Sequence, residues 1–128
     1  MSTINMDTID TLKCSFKKSK THDERCKESV KIKEKYPDRI PVIVEKSEKC
    51  TLVHDIDKQK YLVPMTLSCS QFLYIIRKRI RVSDSEALFI FINCNLVPSS
   101  KTMGEIYSSE KDTDGFLYVT YTNENTFG

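Results

Sequence analysis

Glycine is nearly missing from this chain: there are three in 128 residues, and one of them is Gly128, directly after Phe127. A glycine carboxylate is the least hindered acyl group a chain can offer, because no Cβ shields it. A fraying end, by contrast, tolerates any residue. Cysteine is present but unpatterned. Cys14, Cys26, Cys50, Cys69 and Cys94 form an odd set at wide spacings with no C-x-x-C pair, which argues against a disulfide framework and against a zinc site. His22 and His54 stand at metal spacing from neither a cysteine nor each other. A cysteine nucleophile needs an activating partner. Spacing identifies none, so the thiols read as reduced core or surface groups, and no metal or cofactor is expected. No apolar run approaches the roughly 20 residues that span a bilayer. The opening "MSTINMDTIDTLKCSF" lacks the basic-then-apolar pattern of a signal segment, so a cytoplasmic protein is expected. A net charge of +2 is too small to imply bulk nucleic-acid binding.

What is present fits one domain with an ordinary core: 39% hydrophobic and 30% charged residues. Residues 1–15 are polar with scattered apolar positions and read as a flexible arm. The charged stretch "FKKSKTHDERCKESVKIKEKYPDRIP" predicts two short surface helices with Cys26, Val30 and Ile32 as a thin apolar stripe. They end at Tyr36-Pro37, since the residue before proline avoids the helical region. The period then changes. "RIPVIVEK" reads as a strand, with Pro41 at a strand start or an exposed edge because it cannot donate to a ladder. "EKSEKCTLVHDIDKQ" reads as a polar connection and "KYLVPMTL" as a second strand ended by Pro64. In "SCSQFLYIIRKRI", Ser68 and Gln71 have capping-box spacing, and Phe72, Ile75, Ile76 and Ile80 recur at helical period. "ALFIFIN" predicts a buried central strand. Thr102 and Glu105 allow a second capping box before a short helix through Tyr107. "GFLYVTY" is the last strand.

Two strands, one long amphipathic helix and two more strands form the plan of a β-grasp fold of α+β class. The expected core is a four-stranded mixed sheet crossed by the helix and preceded by two short N-terminal helices. The first and last strands pair in parallel at the centre. "KYLVP" then lies at an edge, where free N–H and C=O groups can pair with a partner's extended segment. The expected organisation is an arm over 1–15 and one folded domain over 16–128. Within that domain, helices fill 16–36, the β-grasp 37–121 and a tail 122–128.

"YPDRIPVIVEK", "DKQKYLVP", "QFLYIIRKRI", "FIFIN" and "DGFLYVTYTNENTFG" closely resemble the ubiquitin-like autophagy modifiers, a family that includes the GABA-receptor-associated proteins and microtubule-associated protein light chain 3. The resemblance covers Phe16 to Gly128. It implies activation at Gly128, passage through cysteine thioesters of activating and conjugating enzymes, and joining to phosphatidylethanolamine on autophagosomal membranes. It also implies a deconjugating cysteine protease that reads Phe127, and cargo receptors bound through short aromatic-x-x-aliphatic motifs. Carried over residue by residue, the aromatic pocket uses Glu28, Ile32, Pro41, Lys60, Leu62 and Phe116. The aliphatic pocket uses Tyr61, Val63, Pro64, Leu67, Phe72, Ile75 and Arg79. Arg39, Lys46 and Lys58, with Lys60, are the basic residues expected to attract acidic residues beside the motif.

The chain departs from the family at Thr21 and His22, where Pro-Phe is frequent, which predicts a first helix that packs more loosely or sits differently. It also has Thr66 where many members have aspartate. Each pocket residue has a plainer reading. Without the resemblance, Leu62, Phe72, Ile75 and Phe116 are better read as plain core; Lys58 and Lys60 serve as guards of an edge strand, and Arg77, Lys78 and Arg79 as a solvated helix end. Other functions stay open beside the modifier: a β-grasp adaptor that binds peptides without being conjugated, and a basic binder of microtubules or nucleic acid through Lys13–Lys35. Asp23, Glu24, Glu28 and Glu34 weaken the field of that last segment. No convergent pocket chemistry suggests an enzyme.

Overall fold

Valine and isoleucine crowd "RIPVIVEK", and the segment forms strand β1 (Arg39–Lys46), buried along its middle. The computed structural model describes residues 15–48, 50–51, 56–83, 85–93 and 95–123. The arm up to residue 14, the tail carrying Phe127 and Gly128, and Cys14, His54 and Cys94 lie outside them. Before β1 come α1 (Phe16–Ser19) and α2 (His22–Lys35); after it come β2 (Lys60–Pro64), α3 (Cys69–Ile80), β3 (Phe89–Ile92), β4 (Asn95–Leu96), α4 (Met103–Glu110) and β5 (Leu117–Thr122). The sheet order is β2-β1-β5-β3-β4. β1 pairs with β5 in parallel and with β2 antiparallel, so β2 is an edge, as expected.

The sheet has five strands rather than four. β4 is two exposed residues pairing with Phe91 and Ile92, too short and too polar to carry a strand pattern. α4 runs three residues past Tyr107, and the two N-terminal helices are unequal, four and fourteen residues long. Pro41 is buried inside an interior strand, not at an edge. Register explains this. Val44 N–H donates to Gln59 O, and Met65 N–H to Asp38 O. An antiparallel ladder alternates, so the even residues of β1 bond the odd residues of β2. The Pro41 nitrogen therefore points toward β5, whose ladder begins only at Val42, and the missing donor costs nothing.

Each face of the sheet has its own core. One contains Ile40, Val42, Val44, Tyr61, Val63, Phe72, Ile76 and Val119, packed under α3 and α4. The other is smaller: Phe16, Ile43 and Phe116, with Ile32 and Tyr118 against them. Both capping boxes on the second half of the chain are formed, Ser68 with Gln71 and Thr102 with Glu105.

A third capping box, Thr21 with Glu24, starts α2. Its buried face is not the expected apolar stripe. Ile32 does pack against the small core, but Val30 is 54% exposed, and the buried residues of the helix are Arg25 and Ser29. They meet the turn before β5. Arg25 Nε donates to Asp114 Oδ2 at 2.8 Å, and Ser29 Oγ to the Asp114 carbonyl at 2.6 Å. Nor is α1 loosely seated: Phe16 is buried with its ring edge-on to Phe116 at 5.1 Å, and Thr21 caps the next helix.

Gly115 sits in that turn with φ +92°, and a Cβ there would lie 2.4 Å from Ser29 Oγ. Gly115→Ala is therefore expected to cost about 2–3 kcal/mol, from a disfavoured backbone and a broken serine bond. Urea unfolding measures it; a loss under about 0.5 kcal/mol would contradict this packing.

Candidate functional site: the outer edge of β2

The same register aims the backbone groups of Lys60 and Leu62 away from β1, toward the open edge. Directly opposed residues share a face. Pro41 opposes Leu62 and Ile43 opposes Lys60 on one side; Val42 opposes Tyr61 and Ile40 opposes Val63 on the other. The alternation read from "KYLVP" is observed: Tyr61 and Val63 are buried, Lys60 and Leu62 half-buried.

On the first side the residues expected for an aromatic pocket come together. Lys60 Nζ is ion-paired with Glu28, which also holds Lys20 at 2.8 Å. Lys60 and Lys20 each lie 5.5 Å from the centroid of the Phe16 ring. Burial, then the Lys20 cation, pulls the Lys60 ammonium below its ordinary pKa. Ile32 and Phe116 share the small cluster with Phe16, and Phe116 is fully buried. Phe16, which the sequence reading did not include, is thus the inner wall of this side.

On the second side Tyr61 and Phe72 stack edge-on, 6.0 Å between centroids, with Val63 in the same core and Leu67 packed against it. Pro64 and Ile75 are exposed, Ile75 at 37%. Arg79 reaches Asp57 at 3.6 Å. Phe72 and Phe116 are core in the free chain, as their plainer reading has it, and so are Tyr61 and Val63, whereas Leu62 and Ile75 are not; Lys60, Leu62, Pro64, Leu67, Ile75 and Arg79 offer surface.

The flanking cations are not equivalent. Arg39 Nη1 donates to the Leu62 carbonyl at 3.2 Å, covering one of the outward acceptors of the edge. Lys58 Nζ lies 5.3 Å from the Tyr61 ring centroid. Lys46 is half-buried at the end of β1, opposite Tyr121.

Spacing identified no partner for a cysteine, yet folding places His22 one turn from Cys26, with Nδ1 3.5 Å from Sγ and Nε2 3.2 Å from Thr113 Oγ1. The group lies on the outer surface of α2. Among the described residues, no cluster of three or more metal-ligating side chains forms, and no helix is long and apolar enough to cross a membrane. A cavity of about 130 Å³ lies at the far edge, lined by Ile92, Leu96, Pro98 and Ile106 among others, and holds none of the expected pocket residues.

Known proteins share this architecture. A family described as "Autophagy protein Atg8 ubiquitin like" matches residues 24–128. Autophagy-related protein 8e of Arabidopsis thaliana is 54% identical over 113 residues, 88% of this chain and 92% of that protein. Autophagy-related protein 8B of Oryza sativa subsp. indica is 53% identical over 116 residues, 91% of this chain and 97% of that one. The crystal structure of Trypanosoma brucei ATG8 superposes with a TM-score of 0.82 at 41% identity, covering 89% of this chain and 97% of its own. The chain belongs to the Atg8 family of ubiquitin-like autophagy proteins.

Proposed function

We propose that this protein is an autophagy modifier conjugated through Gly128 to phosphatidylethanolamine, and that it recruits cargo receptors by adding their aromatic-x-x-aliphatic segment to β2. The observation that carries the recruiting role is the open edge of β2 standing between two apolar clusters on opposite faces of the sheet. Residues three apart in an extended segment point to opposite faces. A segment paired with the outward groups of Lys60 and Leu62 would send its aromatic side chain toward Ile32, Leu62 and Phe116. Its aliphatic side chain would go toward Val63, Leu67 and Phe72. Arg39 must release the Leu62 carbonyl first. That release costs little, since the arginine can turn to an acidic group on the segment.

Burying one aromatic of roughly 150–250 Å² yields about 4–6 kcal/mol before ordering costs, so an affinity of about micromolar is expected. Such binding suits transient recruitment. In this reading Phe127 is read by the deconjugating protease. The protein divides its time between cytoplasm and, once lipidated, the autophagosome membrane. It is a substrate of the cascade, not an enzyme.

A titration of a Trp-x-x-Leu peptide tests the recruiting role. Leu62→Ala is expected to weaken binding about tenfold or more. Backbone amide shifts should concentrate on residues 60–64 and α2. Equal affinity for wild type and Leu62→Ala, or shifts centred on the cavity beside α4, would refute the placement.

A further inference from the structure

Among the described residues, one buried side-chain oxygen or nitrogen has no hydrogen-bond partner: the Tyr61 hydroxyl. Native proteins rarely leave such a group unpaired. Tyr61 is only 6% exposed and lies on the face expected to take the aliphatic side chain, with its ring against Phe72. Its surroundings are cationic. Lys58 Nζ is 5.3 Å from the ring, and the Arg79 guanidinium, which acts on the phenol, stands 3.6 Å from an exposed Asp57.

We propose that the Tyr61 hydroxyl is the polar reading point of the β2 edge: closed and unpaired in the free chain, it donates a hydrogen bond to a carboxylate of the bound segment. This rests on the two-sided docking proposed above. An aliphatic side chain entering beside Val63 separates Tyr61 from Phe72 and uncovers the hydroxyl. The carboxylate must share the face of the aliphatic residue, so it lies two positions from it along the segment. Lys58 and Arg79 make that neighbourhood favourable to an anion, which displaces Asp57 as the partner of Arg79. Burial, then the charges of Arg79 and Asp57, set the phenol at a pKa of about 12, so it holds its proton at neutral pH and has it to donate.

Tyr61→Phe removes the oxygen and leaves the ring. Two Trp-x-x-Leu peptides serve as probes, one with glutamate directly after Trp and one with glutamate at the second position after Leu; alanine replaces each in the control. Calorimetry with the full chain is expected to show Tyr61→Phe weakening one glutamate peptide by about tenfold and the alanine peptides by less than about twofold. The melting temperature of the free variant should be unchanged or higher, because an unpaired oxygen has gone. Equal losses for glutamate and alanine peptides, no loss at all, or a lower melting temperature would each overturn the inference. If no Trp-x-x-Leu peptide binds wild type, the docking proposal itself fails and takes this one with it. Peptides that bind wild type and Tyr61→Phe alike sink this inference alone.

Discussion

Asp114→Ala is expected to be among the most damaging single substitutions in the described fold, costing about 3–5 kcal/mol. Asp114 is 1% exposed. Its Oδ2 accepts from Arg25 Nε and the Tyr118 hydroxyl, and its Oδ1 from the Phe116 N–H. Arg25 also donates from Nη1 to the carbonyls of Lys17 and Lys20. One carboxylate thus ties α1, α2 and the start of β5 together. Burial, then the bond to Asp114, pushes the Tyr118 phenol far above its usual range, and Asp114 raises Arg25. Removing the carboxylate strands a buried guanidinium, which is worse than never having had the pair.

For a chain of this size about 1 kcal/mol corresponds to roughly 4 °C, so a fall of about 12–20 °C in Tm is expected by calorimetry. Because α2 holds Glu28 against Lys60, the same variant should also lose peptide binding on the aromatic side. Replacing Arg25 with Met in the Asp114→Ala background removes the stranded charge and should recover part of the loss. A drop under about 4 °C, or no recovery in the double variant, would show that this network contributes little.

The central architecture was legible because it is written in local patterns. β1, α3 and β5 carry their period openly, and the Ser68–Gln71 and Thr102–Glu105 boxes mark helix starts by spacing alone. The alternation of Lys60–Val63 carries the two faces of the edge strand in the sequence itself. The expected face of α2 is right only at Ile32, for a specific reason: its buried residues are Arg25 and Ser29, polar residues that hydrophobic periodicity cannot register. Their partner Asp114 is 89 positions away from Arg25. The Thr21–Glu24 spacing is a readable signal that the helix begins firmly there, and it outweighs the Pro-Phe departure. Pro41 was misplaced because its tolerance depends on which neighbour its nitrogen faces, a property of register rather than composition. Phe16 was missed for the site because only folding returns it to Phe116. The pocket assignments themselves came from resemblance; spacing alone favoured a plain core.

The second large effect concerns Gly128. The conjugation proposal makes its carboxylate the acyl donor, and a Cβ at that position crowds the carbon that each thioester and the final amide must form. Gly128→Ala is therefore expected to abolish lipid transfer, while its melting temperature and its affinity for a Trp-x-x-Leu peptide stay at wild-type values. That split separates the acyl-donor role from the docking role. An adaptor that works unconjugated would show no adduct with either chain and normal peptide binding with both.

The most direct measurement is intact-protein mass after a reconstituted reaction. It combines the chain, the activating and conjugating enzymes of its own cell, ATP, and liposomes containing phosphatidylethanolamine. The account predicts a mass gain of one phosphatidylethanolamine less one water on wild type and none on Gly128→Ala. No gain on wild type, from enzymes shown to lipidate another family member in the same tube, would contradict it.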